Sequence, residues 1–139
     1  MGAMKIQNVS ITVPAARADV FRFLAAIENL PAWATEFCER VERRAAGWVA
    51  QTAQGEMIFE ITADERTGVI DMRAGPTPET LWPFPVRVLA LPTGATAITF
   101  TFFQMPGMAD ELYVRQCESL GVEMRGLARR FGGGEIAAA

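Results

Sequence analysis

The sequence predicts an α+β fold: a curved antiparallel sheet of about six to seven strands gripping a long C-terminal helix, with two short helices after the first strand. Three observations carry that expectation. Short apolar runs between residues 37 and 104 alternate with a period of two and are separated by turn residues. Residues 109–131 carry one apolar stripe at helical spacing. A single alternating strand and two helical stretches stand before those runs.

Taken in order, residues 5–13 read KIQNVSITV. Val9, Ile11 and Val13 alternate with Asn8, Ser10 and Thr12, the signature of a half-buried strand that Pro14 ends. Residues 16–27 place Val20, Phe21, Leu24 and Ile27 at helical spacing. Asn29 is the expected N-cap of a second short helix running through Leu30-Pro31-Ala32-Trp33. Proline is tolerated there because a first-turn amide has no helical partner to lose.

Ala46-Gly47, Gln54-Gly55 and residues 64–68, 75–78 and 92–94 are the turns of a meander. Between them, Met57, Phe59 and Ile61 share a face, as do Ile70 and Met72, then Trp82, Phe84, Val86 and Val88, then Ile98, Phe100, Phe102 and Gln104. A hairpin turning at Glu65-Arg66 would set Phe59 opposite Met72, Ile61 opposite Ile70, and Glu60 opposite Asp71. In the last element, Tyr113, Cys117, Leu120, Met124, Leu127 and Phe131 form the stripe. Asp110 and Glu111 suit the positive end of its dipole, and Arg125, Arg129 and Arg130 the negative end. The glycines at 132–134 stop it.

A sheet with one apolar face must cover that face. One helix covers six strands only if the sheet curls around it. The two short helices then plug one end, and a cavity lined by aromatic and methionine side chains is expected inside.

The chain has 139 residues, enough for one domain, expected over residues 4–132. Residues 1–3 read as a remnant added before a native start at Met4, and residues 133–139 as a flexible tail. With 13 Lys and Arg against 16 Asp and Glu, the net charge of -3 argues against nucleic acid as a partner. No apolar run reaches the roughly 18–20 residues of a membrane span, and no secretory signal is visible. Cys38 and Cys117 form no metal or disulfide motif and read as reduced thiols of a cytoplasmic protein. The absence of histidine excludes Ser-His and Cys-His nucleophile pairs and histidine metal sites within one chain. No metal and no cofactor is expected.

Ile11-Thr12-Val13-Pro14-Ala15 leading into Val20-Phe21, then Asn29-Leu30-Pro31-Ala32-Trp33, then Thr99-Phe100-Thr101-Phe102-Phe103-Gln104 with Pro106-Gly107-Met108-Ala109-Asp110-Glu111 carry a resemblance. Over about residues 5–131 the chain resembles the START-like, Bet v 1-like helix-grip superfamily, in its bacterial polyketide-cyclase/SRPBCC branch. The resemblance implies a ligand cavity between sheet and last helix. Members bind or transform lipids, polyketides, hormones and other hydrophobic molecules. Relatives often carry serine where this chain has Ala109, the N-cap of the last helix.

The expected ligand-binding residues are Phe59, Met72, Phe84, Phe100, Phe102, Tyr113, Cys117 and Met124 as lining, with Gln104 as a polar contact. Gln104 and Tyr113 either meet solvent at the rim or converge near the helix start, where free amides favour an anionic or carbonyl group. Glu60, Asp71, Arg73 and Arg87 share the parity opposite the apolar residues and are expected in solvent. A bulge would turn them into the cavity, where a carboxylate could move a proton. The preferred function is binding of a small hydrophobic molecule. The alternatives are a polyketide cyclase or dehydratase using Tyr113 or a carboxylate, and a homodimer or partner-interaction module with an apolar face. Catalytic residues are not identified.

Overall fold

The N-terminal alternation produces β1 (Ile6–Val13), with Val9, Ile11 and Val13 buried and Asn8 and Thr12 exposed. After Pro14 the chain enters α1 (Arg17–Ala25), which buries Val20, Phe21 and Leu24. A 3-10 turn (Ile27–Asn29) then leads into α2 (Leu30–Trp33). Asn29 holds the N-cap position of α2 as expected, but its side chain does not cap that helix. Its Nδ2 donates instead to the Phe23 carbonyl (3.0 Å), satisfying an acceptor near the end of α1.

The meander follows as β2 (Cys38–Arg44), β3 (Gly47–Thr52), β4 (Gly55–Asp64), β5 (Val69–Gly75), β6 (Trp82–Ala90) and β7 (Thr96–Phe103). The long helix is α3 (Asp110–Arg130), and a last strand, β8, spans Ile136–Ala138. This computed structural model describes residues 4–133 and 136–138. The remnant read at residues 1–3 lies outside the described residues, as do the tail positions 134, 135 and 139.

All strands join one antiparallel sheet in the order β2-β3-β4-β5-β6-β7-β1-β8. The β4–β5 hairpin departs from the expected register by two residues. Glu60 pairs with Arg73, Ile61 with Met72 and Thr62 with Asp71. Parity is kept, so the apolar faces stay aligned, but the two carboxylates are no longer opposed. The cause is a longer turn: the Gly68 amide bonds the Asp64 carbonyl (2.9 Å), and Gly68 holds φ +77°. A Cβ at Gly68 would run into the Val88 carbonyl oxygen, so only glycine lets β6 approach there.

α3 ends as its glycines dictate. Gly132 sits at φ +81°, its amide bonds Arg129 O (3.1 Å), and the Gly133 amide bonds Ala128 O (2.7 Å). Where a flexible tail is expected, Ile136–Ala138 pair with β1 in the register Ile11↔Ile136. The core lies between the sheet and the second half of α3, where Met124, Leu127 and Ala128 are buried with Ile11, Val86, Ile98 and Phe100. Phe131 meets Phe23 of α1 edge-on at 5.5 Å between ring centres, and Arg130 lies over the Phe23 ring.

Candidate functional site

The first half of α3 touches the sheet at Tyr113, which packs on β7, and otherwise stands away from it. A cavity of about 340 Å³ separates them. Its floor is the inner face of the meander: Phe59 from β4, Met72 and Ala74 from β5, Trp82 and Phe84 from β6, and Phe102 from β7. Period-two alternation places these side chains there. One end is closed by Trp33 of α2 and by Phe37, whose ring lies 5.9 Å from that of Phe59. The roof is α3, through Leu112, Arg115, Gln116, Ser119, Leu120 and Glu123.

The roof carries the polarity. Glu123 is only 6% exposed, a charged type that is rarely buried without a partner. Its Oε2 accepts the backbone amides of Glu36 (3.0 Å) and Phe37 (2.9 Å), tying α3 to the segment between α2 and β2. Burial pushes its carboxyl up to about 7, against the lowering effect of those two amides. Trp33 is 4% exposed and its indole N–H has no hydrogen-bond partner among the described residues.

Of the residues expected to line the site, Phe59, Met72, Phe84 and Phe102 border the cavity. Phe100 lies one layer deeper, behind Phe84 and Trp33 at ring-centre distances of 5.8 and 5.7 Å. Met124 is fully buried in the core. Tyr113 stacks on Phe102 (5.4 Å, 5° between planes) and donates its hydroxyl to the Phe102 carbonyl, so it braces the wall from behind. Cys117 shares that face of the helix and also lies off the cavity. Gln104 is occupied elsewhere: its amide donates to Met108 O (3.0 Å) and Asp110 Oδ1 (2.7 Å), closing the loop before α3. For the three on α3, Tyr113, Cys117 and Met124, the correction has one cause. The apolar stripe of α3 marks the line that meets the core, and the cavity wall is the neighbouring line. Leu112, Gln116, Ser119 and Glu123 stand one residue before Tyr113, Cys117, Leu120 and Met124, with the same 4, 3, 4 spacing. A carboxylate between Leu120 and Leu127 was the available signal for Glu123.

Glu60, Asp71, Arg73 and Arg87 lie outside, as their parity predicts. Arg73 pairs with Glu60, and Arg87 with Asp71 (2.8 Å), on the solvent face, each pair contributing under about 1 kcal/mol. Burial disfavours the ionised forms of Cys38, Cys117 and Tyr113. Burial, and then the Glu123 charge, pushes the Cys38 thiol up to about 11. Burial also raises Cys117, and it pushes the Tyr113 hydroxyl up to about 12. Among the described residues, no three His, Cys, Asp or Glu side chains gather as metal ligands, and no helix is long and apolar enough to cross a membrane.

No family model and no curated protein matches the sequence. Solved structures do share its fold. Ara h 8.0201, of the Bet v 1 family, superposes at TM-score 0.63 and 16% identity, covering 93% of this chain and 98% of that one. A START superfamily protein from Mycobacterium smegmatis gives TM-score 0.58 at 15% identity, over 93% and 99% of the two chains. The fold is the START-like, Bet v 1-like helix grip. A third helix grip, from the Aha1 dimer of Colwellia psychrerythraea, gives TM-score 0.68 at 15% identity, over 94% and 98%. At these identities the likeness is one of fold, a scaffold on which function is set by the site.

Proposed function

We propose that this helix grip binds a small hydrophobic molecule between its sheet and the first half of α3. The observation that carries the proposal is the unfilled cavity of about 340 Å³ between α3 and the aromatic floor of the meander. Its volume falls in the range of small-molecule sites, roughly 300–1,000 Å³. The wall is mostly aromatic and aliphatic, with Met72 as an adaptable element. Burial of apolar surface supplies the affinity, at roughly 25 cal/mol per Å² before binding costs.

Native mass spectrometry of freshly purified protein, followed by denaturing extraction, tests the proposal. The expected result is an apolar molecule released in stoichiometric amount from the wild type and absent from Ala74→Phe, whose new ring occupies the cavity. A wild type that flies empty and shows no thermal shift with naphthalene-sized probes overturns it. The same spectrum gives the mass of the assembly and so decides the homodimer alternative.

A second proposal, a cyclase- or dehydratase-type enzyme acting on that ligand, is favoured by one observation: Glu123 brings a carboxyl near pH 7 to the cavity. Incubating the extracted molecule with protein and following its mass and spectrum tests this. Turnover lost in Glu123→Gln supports it, and an unchanged molecule removes it.

A further inference from the structure

Glu123 uses one carboxylate oxygen to hold the protein together. Oε2 takes both backbone amides, from Glu36 and Phe37. Oε1 accepts no hydrogen bond from any described residue, and, unlike the Trp33 indole nitrogen, it is not sealed from solvent: the side chain is nine-tenths buried but stands in the cavity wall. No cation pairs with the carboxylate among the described residues. An acceptor left open to the cavity, with no partner in the protein, can take a donor from a bound molecule, and a hydrogen bond to a charged group is among the stronger ones. Ser119 and Gln116 sit on the same face of α3, in the same wall, and their side chains make no hydrogen bonds to described residues. Ser119 precedes Glu123 by four residues, which places the two side chains next to each other on the helix. Beside Glu123 the roof therefore offers two neutral groups able to donate, above an apolar floor, while Arg115 and Glu36 add one charge of each sign to the lining. A hydroxyl is the small neutral group that answers both, since it donates once and accepts twice.

We infer that the ligand of this cavity is an apolar molecule bearing a hydroxyl group, which donates to Glu123 Oε1 and is received on its oxygen side by Ser119 and Gln116. The inference rests on the binding function proposed above and assigns the polar end of that ligand.

Two matched probes separate the assignments: 2-naphthol, which donates, and 2-methoxynaphthalene, which only accepts. Their dissociation constants are measured by calorimetry at pH 8, where Glu123 is mostly ionised. A hydrogen bond to a charged group is expected to make 2-naphthol about tenfold or more the tighter binder. In Glu123→Gln the amide oxygen replaces Oε2 under the two backbone amides and the NH2 faces the cavity. The preference for 2-naphthol is then expected to vanish while 2-methoxynaphthalene still binds. A readout in the wild type alone covers a variant that does not fold. The carboxyl ¹³C resonance of Glu123 is expected to move on adding 2-naphthol and stay in place with 2-methoxynaphthalene. Equal affinities for the two probes, or a preference that survives Glu123→Gln, overturn the hydroxyl assignment and leave apolar binding standing. Binding of neither probe overturns both.

Discussion

A single carboxylate inside an apolar wall sets much of the chemistry available to this protein. Two backbone amides do not compensate fully for its burial, which is why the carboxyl of Glu123 is pushed up to about 7 from 4.5. An acid whose folded value is raised holds its proton in the native state while the unfolded chain has released it. The contribution of Glu123 to stability is therefore most favourable below about pH 4.5, falls as pH rises to about 7, and stays low above that. A shift of that size corresponds to about 3 kcal/mol. Glu123→Gln keeps an oxygen for the amides of Glu36 and Phe37 and removes the charge. It is expected to match the wild type at pH 4.5 and exceed it by up to about 3 kcal/mol at pH 8, read by urea unfolding at both values. A variant no more stable at pH 8 would contradict this account.

α3 shows how one element serves two masters. Its second half carries Met124, Leu127 and Ala128 into the core, and its first half roofs the cavity. The first half is held by contacts at its start: Gln104 on Asp110, the Lys5–Asp110 pair at 3.3 Å, and the Tyr113 hydroxyl on β7. The cap itself is missing, since Ala109 has extended backbone angles (φ -66°, ψ 149°) and no side chain to bond the first amides. Ala109→Ser is expected to stabilise the protein by about 1 kcal/mol through that bond, measured as a rise in the urea midpoint with unchanged slope. The element was legible in the sequence to within a residue at each end, because its stripe, charges and glycines agree. The line facing the cavity was not, because a helical stripe reports where apolar residues concentrate, and this roof is partly polar. For the same reason the sheet's inner residues Phe59, Met72, Phe84 and Phe102 were readable from parity, while Gln116, Ser119 and Glu123 were passed over.

At the scale of the molecule, parity, turn residues and one long stripe were enough to foresee a curled sheet around a helix. The hairpin register was not foreseeable from parity, since a shift of two residues preserves every inward side chain and only the length of the Asp64–Gly68 turn decides it. One core runs from α1 through the sheet to α3, so the protein is expected to unfold as a unit. The three tryptophans report from separate places: Trp33 in α2, Trp48 in β3 and Trp82 in β6. Their fluorescence and the far-ultraviolet circular dichroism are expected to trace a single urea transition. Two separated transitions would show that the cavity half opens independently of the core half.

The position of β1 between β7 and β8 has a consequence for the living history of the chain. On the ribosome, β1 is made before the meander, yet its partners lie at Thr96–Phe103 and Ile136–Ala138. The meander from β2 to β7 can zip strand by strand as it emerges, while Val9, Ile11 and Val13 wait without a neighbour. Closing so long a loop adds only modestly to the entropy cost but delays the step that makes the sheet continuous. A strand made before the meander is thus incorporated after it, and the newborn protein must keep β1 from pairing elsewhere until β7 has been translated.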